Sequence, residues 1–218
     1  MLSYSGDIAA CNAAAQESPA DLCRAIRFVL ATIQQQLETV PDILQDFETA
    51  GSASRFAFGS KAAGLDWLSV HGADLYQSAM THRDDSRALL QDFLRVPGLG
   101  LVKAGFACQL FAGTVGCIDT HNIKLYDIPL STIRYGYPKT VAVQQRKQQQ
   151  YIDLCSGIGG SLLLWSAWCE YLAAQRPANW ADGFAVSALH VDCLQGKYMP
   201  AALYTGADFE PAYSRADY

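Results

Sequence analysis

The sequence predicts a single all-α domain that occupies residues 1–218. Apolar residues recur at three- and four-residue spacing in several segments, which is the spacing of one helix face. No long stretch alternates apolar and polar residues as a strand does, and no repeat period is visible. Hydrophobic residues make up 50% and charged residues 17% of the 218 residues, which is enough apolar material for one domain with a sizeable core.

The first half of the chain is predicted to hold four helical segments. Ser18 has the position of an N-cap and Pro19 that of the first helical residue. The apolar spacing of the helix that they open continues to about residue 37. The later segments are a short helix from Pro41, a helix or helix pair over 60–80, and a helix over 87–95 that a polar turn precedes.

The second half is also predicted to be mainly helical. Its helices are an apolar segment that ends at Phe111, a helix over 119–127, a polar start over 144–150 that leads into the most apolar helical stretch at 151–175, and a short helix over 186–194. The stretch 129–138 is predicted to be irregular and the tail from Tyr198 to be loop-like. The glycines of 157–160 lack the strand and the Lys of a phosphate loop, so close helix packing is the better interpretation.

Cysteine spacing and local charge restrict the classes of site. The seven cysteines form no C-x-x-C pair, so we expect buried free thiols in a reducing compartment and no metal site. The net charge of the chain is −5, but residues 96–150 hold six basic and two acidic side chains. Such a basic segment on an acidic body is typical of an electrostatic footprint for phosphates, although clustering of solvated side chains would give the same count.

No membrane segment or leader is predicted. The longest uncharged stretch before residue 170 is 154–169, which is too short and too rich in small residues for a membrane span. No basic residue precedes an apolar run in residues 1–10, so we expect no signal peptide and a cytoplasmic protein.

The turn formed by Val96, Pro97, Gly98, Leu99 and Gly100 joins two predicted helices into a tight hairpin. Its glycines permit a positive φ and let a large partner approach the backbone. The first N–H groups of the following helix lack intrahelical partners and carry the positive end of its dipole, so they can bind a phosphate. Lys103, one turn further on, is expected to add an ionic contact to DNA.

Two motifs at a fixed spacing sharpen this interpretation. The hairpin VPGLG is followed, after a Gly-containing break, by the tetrapeptide IDTH, whose Asp119 lies 19 residues after Gly100. This order resembles the helix-hairpin-helix DNA glycosylase superfamily, which includes endonuclease III-like and adenine-mismatch glycosylases. The tripeptide Ser60-Lys61-Ala62 is similar to a short motif of the same family, and the resemblance covers about residues 60–126.

The resemblance implies a role for each matching position. Asp119 matches the catalytic carboxylate, His121 a supporting position beside it, and the hairpin backbone the phosphate grip, with Lys124 as a further supporting residue. The family implies no cofactor, apart from a monovalent cation that carbonyls of the hairpin hold. Bifunctional members carry a Lys where this chain has Val102, and Lys103 is displaced by roughly 100° around the helix, so a Schiff-base route is not expected.

Other interpretations of these residues stay open at this point. Asp119 alone is also a good helix N-cap, and Lys103 also suits a solvated surface. A set of aromatic residues either lines a base pocket or packs in the core, and core packing is favoured. The set consists of Trp165, Trp168, Tyr171 and Trp180.

The sequence therefore predicts an enzyme that binds duplex DNA, flips a nucleotide and cleaves its base–sugar N-glycosidic bond at Asp119 without lyase activity. One alternative is a phage-type transferase that joins an amino acid or polyamine to an activated hydroxymethyluracil in DNA, and another is a non-catalytic DNA-binding module. The expected location is the cytoplasm of a bacterium or of a phage-infected host cell. DNA is the only partner expected, without a protein partner.

Overall fold

The computed structural model describes residues 4–136, 140–175 and 180–205, and in these ranges the chain is helical with no strand. Eleven α-helices, α1 to α11, follow one another: Ser5–Gln16, Pro19–Ala31, Val40–Ala50, Ser60–Thr81, Ser86–Phe93, Leu101–Ala112, Thr120–Leu125, Leu130–Ile133, Val141–Ile158, Gly160–Gln175 and Gly183–Leu194. The all-α prediction is confirmed for the described residues. The predicted loop-like tail contains a 3-10 turn at Ala201–Tyr204, and its continuation past residue 205 lies outside the described ranges, as do residues 137–139.

Helices α2 and α6 form the centre of the fold. They pack against each other, α4 covers α2, and α1 lies across α6 and α11. Phe28, Phe93 and Phe111 are fully buried there. Each large apolar side chain moved out of water stabilises the folded state by about 1.5–3 kcal/mol, so this centre fixes the helices that carry the site.

Helix α1 is an element that the sequence analysis did not assign. Its buried side holds Asp7, Ile8, Cys11 and Ala15, and because only Ile8 is a large apolar residue, the apolar pattern is weak. Its docking is polar as well, because Asn12 Nδ2 donates to the carbonyl oxygens of Gln109 and Leu110 at 2.9 and 2.8 Å. These bonds help to satisfy carbonyls in the last turn of α6, where Gln109 O also accepts from Gly113 N at 3.0 Å.

Helix α2 ends at Ala31, so the predicted continuation to about residue 37 was wrong. Thr32 Oγ1 donates back to the carbonyl of Val29 at 2.7 Å, and Gln34 adopts a φ of +55°, which a continuing helix does not allow. The apolar spacing included Ile33, which packs against the core from a loop instead. The segment released from the helix, 32–37, forms part of the site below.

The predicted apolar stretch 151–175 is two helices rather than one. Gly159 and Gly160 have φ values of +128° and +82°, and α9 and α10 meet there at 67°. In the described ranges no single helix is long and apolar enough to cross a membrane, and only this bent pair taken together has the length and composition. Beyond the bend, α10 packs against α7 and α11.

The prediction of free thiols is confirmed. All seven cysteines lie in the described ranges, none forms a disulfide, and six are buried while Cys117 is partly buried.

Candidate functional site

The predicted hairpin joins α5 to α6. Asp85 caps α5 by accepting hydrogen bonds from the backbone N–H groups of Arg87 and Ala88, both at 3.0 Å. Within the turn, Leu99 N donates to the carbonyl of Val96 at 3.1 Å, and both of these side chains are buried. Pro97, Gly98 and Gly100 are partly exposed, so the backbone of the turn faces outward while its apolar side chains anchor it.

The two glycines of the hairpin have different roles. Gly98 has a φ of +91°, and a Cβ built on it would lie 2.9 Å from the carbonyl oxygen of Ser60. The hairpin therefore rests directly on the start of α4, which places the Ser60-Lys61-Ala62 motif beneath it. Gly100 has a φ of −87°, so this position does not use the positive φ that a glycine permits. A Cβ on Gly100 would meet nothing within 4 Å, which leaves open space in front of the first turn of α6.

A cleft of about 530 Å³ lies beside the hairpin. Its walls come from five parts of the chain that the sequence separates widely: the segment 32–40, α6 between Val102 and Gln109, the segment 117–123, α8 and α10. Two cleft residues, Val102 and Lys103, belong to the first turn of α6, so hairpin and cleft share this helix. A cleft of this size is within the range that holds small organic ligands.

Asp119 lies in the wall of the cleft and is partly exposed. Its Oδ1 accepts the backbone N–H groups of His121 and Asn122 at 2.9 and 3.0 Å, so this oxygen is the N-cap of α7. No described residue donates to its other oxygen, Oδ2. The capping role and a catalytic role are therefore compatible, because one oxygen fixes the carboxylate and the other stays available.

Three buried side chains hold the segment that carries Asp119. Tyr151 Oη donates to the carbonyl of Gly116 at 2.9 Å and accepts from Ile118 N at 3.1 Å. Gln109 Oε1 accepts from Cys117 N at 3.3 Å, and Asn122 Nδ2 donates to the Cys117 carbonyl at 2.8 Å. Burial in this network raises the pKa of Tyr151 far above its ordinary value, so the hydroxyl stays protonated and keeps donating.

Gly105 makes this close docking feasible. A Cβ on Gly105 would lie 2.4 Å from the carbonyl oxygen of Gly116, so any larger residue would push the Asp119 segment away from α6. The segment is thus positioned by backbone contact as well as by side chains.

Lys103 lies inside the cleft. Its Nζ donates to Thr32 Oγ1 at 2.9 Å and lies 5.5 Å from the centre of the Phe106 ring. It forms no ion pair with a described residue. This placement favours a role in the cleft over the phosphate contact expected from the sequence. The neighbouring Val102 lines the same cleft and has no nucleophile.

Lys61, in the first turn of α4, is buried with 1% of its surface exposed. Its Nζ lies 4.7 Å from the centre of the Phe58 ring and has no hydrogen-bond partner among the described residues. Burial lowers the pKa of Lys61, and the charge of Lys103 lowers it further. Lys61 thus relates to both regions. The start of its helix contacts the hairpin at Gly98, and the charge of the cleft residue Lys103 lowers the pKa of its amine.

An aromatic cluster forms the floor of the cleft. Trp165 and Trp168 of α10 line the cleft with Phe106, and His190 packs edge-on against the two indole rings at 4.9 and 5.1 Å. Burial lowers the pKa of His190 to about 4, so its ring is neutral and belongs to the core. Of the four aromatic residues expected in the core, Trp180 is buried and Trp165 is both buried and part of the cleft.

The remaining predicted residues divide between the cleft and the surface. His121 lines the cleft with its ring 5.3 Å from that of Tyr171, whereas Lys124 is exposed at the end of α7. Cys117 also lines the cleft, but burial raises its pKa to about 12, so it is not a thiolate at neutral pH. Across the described ranges, no group of three or more His, Cys, Asp or Glu side chains is placed to hold a metal ion.

Sequence reasoning missed the residues that position Asp119 and the cleft residue Thr32, which accepts from Lys103. Asn122 directly follows the IDTH tetrapeptide, and its helix position could have suggested it. Tyr151 stands in a Gln-rich polar helix and Thr32 in a segment expected to be helical, so neither had a local signal.

Comparison with protein-family models, curated proteins and solved structures found no match to this chain.

Proposed function

We propose that this protein is a monofunctional DNA glycosylase. In this proposal the hairpin holds the backbone of duplex DNA, one nucleotide leaves the base stack and enters the cleft, and the base–sugar N-glycosidic bond is hydrolysed at Asp119. A base must leave the stack because its reacting atoms are inaccessible inside the duplex.

The observation that carries the proposal is the position of Asp119 relative to the hairpin. The carboxylate lies in a cleft whose wall includes Val102 and Lys103, the second and third residues of the helix that the hairpin opens. A protein that grips a phosphate at this turn therefore holds the neighbouring nucleotide close to the cleft. The aromatic floor suits the planar face of a base, because bases stack on aromatic side chains in a sequence-tolerant way.

The proposed chemistry needs only the free oxygen of Asp119 and a water molecule. As the C1′–N bond breaks, its electron pair leaves with the base, and the sugar develops positive charge. The Oδ2 of Asp119 stabilises this charge or takes a proton from the attacking water, whose oxygen then bonds to C1′. In both cases the proton lost by the water ends on the released base, which left with the electron pair of the C1′–N bond. The capped Oδ1 holds the carboxylate in place throughout.

A lyase step is not part of the proposal. A Schiff base needs a neutral amine aimed at the sugar carbon, and the position of the family's nucleophilic lysine is Val102 here. The amine of Lys103 is bonded to Thr32 Oγ1, and that of Lys61 is buried. The monovalent cation implied by the resemblance would bind carbonyl oxygens of the hairpin, and the proposed reaction has no step at that ion.

The test is an abasic-site assay on duplexes that carry damaged, mismatched and hypermodified bases. We expect alkali-labile sites on a subset of these duplexes and no covalent adduct after borohydride treatment. An adduct that disappears in Lys103→Ala would overturn the monofunctional assignment. Absence of alkali-labile sites on every duplex would overturn the glycosylase assignment.

A second candidate is the transferase that modifies an activated hydroxymethyluracil in DNA. It is favoured by the source of the cleft wall, because α10 lies outside residues 60–126 and still supplies two tryptophans to the site. The cation of Lys103 in the same cleft suits an anionic activating group on the base. This reaction changes the nucleoside mass without an alkali-labile site, and a binding module without catalysis gives neither signal.

A further inference from the structure

Two buried polar atoms in the cleft wall have no hydrogen-bond partner. These atoms are Nε1 of Trp168, which can only donate, and Oδ1 of Asn122, which can only accept. Both residues line the cleft, and Asn122 is 1% exposed. Neither atom bonds to any described residue. Leaving buried polar groups unpaired is unfavourable, so such atoms indicate a ligand that completes them.

The orientation of the Asn122 side chain is fixed by its other end. Its Nδ2 donates to the carbonyl of Cys117 at 2.8 Å, and a carbonyl cannot serve as a donor. The amide therefore cannot be turned round without losing this bond, and its unpaired atom is an acceptor. The helices that carry the two residues, α7 and α10, pack against each other.

Lys103 adds a further donor to the same cleft. Its ammonium group has three N–H bonds, and the structure uses one of them on Thr32 Oγ1 at 2.9 Å. Beside the Asp119 carboxylate, which the proposed reaction uses at the sugar, the cleft has donors at Lys103 and Trp168 and a buried acceptor at Asn122. A ligand that pairs with all three of these groups has two acceptors and one donor.

From this inventory we infer that the cleft selects a pyrimidine base. On the Watson–Crick edge, uracil, thymine and cytosine each present two acceptors and one donor. Adenine presents one acceptor and one donor, so it leaves one cleft donor unpaired. Guanine presents one acceptor and two donors, so one of its donors meets a donor of the cleft. The inference rests on the proposed function for the statement that the base belongs to DNA.

The test measures binding of free deoxynucleosides to the full chain by isothermal titration. The probes are deoxyuridine, deoxycytidine, deoxyadenosine and deoxyguanosine, and we expect the first two to bind at least about tenfold more tightly than the purines, which is the effect of one unpaired buried group. Equal binding of all four, tighter binding of a purine, or no binding of any would overturn the inference.

Two matched variants assign the effect to the unpaired donor. Trp168→Phe keeps an aromatic ring in the cleft and removes Nε1, so we expect about tenfold weaker pyrimidine binding. Trp165→Phe makes the same change where Nε1 already donates to Ser187 Oγ at 3.0 Å, and we expect little change. Equal losses in both variants would show that stacking alone binds the base and would overturn the assignment.

These outcomes are separate from those of the abasic-site assay. A chain that binds pyrimidine nucleosides but produces no abasic sites fails the proposed glycosylase function and keeps the pyrimidine-selective cleft. A chain that produces abasic sites only at purines keeps the glycosylase function and loses the present inference.

Discussion

The hairpin and the cleft share helix α6 and are built in opposite ways. The hairpin is a local structure in which five consecutive residues place a backbone turn at the surface, anchored by the buried side chains of Val96 and Leu99. The cleft is assembled from five distant segments, and its polar groups are fixed by contacts between them. A surface of backbone amides suits any phosphate, whereas a cleft with fixed donors and acceptors suits one kind of ligand. The comparison predicts that changes in the two regions separate affinity from turnover.

The largest expected effect comes from Asp119→Asn in the cleft. The amide keeps an oxygen for the N-cap of α7 and removes the charge that the transition state needs. We expect turnover to fall by about 10²-fold or more while DNA affinity and the melting temperature stay nearly unchanged. Single-turnover kinetics and a binding titration on the same duplex measure both quantities.

A matched control for this variant is Asp85→Asn, which changes the N-cap of α5 outside the cleft in the same chemical way. We expect it to leave turnover unchanged. Near-wild-type turnover of Asp119→Asn would remove this carboxylate from the mechanism and leave it as a helix cap only.

Variants at the two hairpin glycines test the hairpin half of the comparison. Gly100→Val is compatible with its φ of −87° and with the open space in front of it, so the fold should persist. The new side chain fills the space through which a phosphate reaches the backbone. We expect about tenfold weaker binding to all DNA sequences alike, which is the loss of one charge-assisted hydrogen bond.

Gly98→Ala acts on stability instead. Its φ of +91° disfavours any Cβ, and the added carbon would lie 2.9 Å from the Ser60 carbonyl oxygen. We expect a loss of about 2 kcal/mol in the free energy of unfolding, measured by urea denaturation. A stable Gly98→Ala variant with intact affinity would show that the turn adapts without its contact to α4.

The sequence predicts the locally built hairpin better than the cleft, which distant segments assemble. The turn between α5 and α6 and the Asp119 cap depend on neighbouring residues, and turn and capping chemistry reveal them. The break at Gly159 and the early end of α2 depend on what the helices meet in the fold, and periodicity does not contain that information. Thr32 lines the cleft because α2 ends at Ala31, directly before it.

The contributions of two lysines to DNA binding test whether the cleft and the surface are electrostatically distinct. Lys124 is exposed, and Lys103 is bonded to Thr32 inside the cleft. If Lys124 contacts a phosphate, Lys124→Ala should lower the slope of log affinity against log salt by about 0.9, because one fewer counterion is released. Lys103→Ala should leave this slope unchanged.

The outcome for Lys103 decides between its two assignments. A slope lowered by Lys103→Ala would support the phosphate contact expected from the sequence. Lys103 would then no longer count among the cleft donors that bind the base. Titrations of one undamaged duplex at several salt concentrations provide both slopes.

The smallest expected effect concerns Lys61, which lies where the two regions meet. Its amine is buried without a hydrogen-bond partner among the described residues, and its pKa is lowered from 10.5 by burial and by Lys103. The unfolded chain therefore binds more protons than the folded chain at pH values between the lowered and the ordinary pKa. Stability should rise with pH across that window, up to about 10.5.

Lys61→Met keeps an unbranched apolar chain and removes the amine. We expect it to stabilise the protein by about 1 kcal/mol at neutral pH, since an unpaired buried donor costs at least that much. We also expect it to abolish the rise of stability with pH that Lys61 contributes. Urea denaturation at several alkaline pH values compares it with Lys124→Met, which replaces an exposed lysine and should change neither quantity. An identical pH slope in wild type and Lys61→Met would mean that Lys61 keeps its proton in the folded state, and that the Phe58 ring, 4.7 Å from its Nζ, stabilises the buried cation.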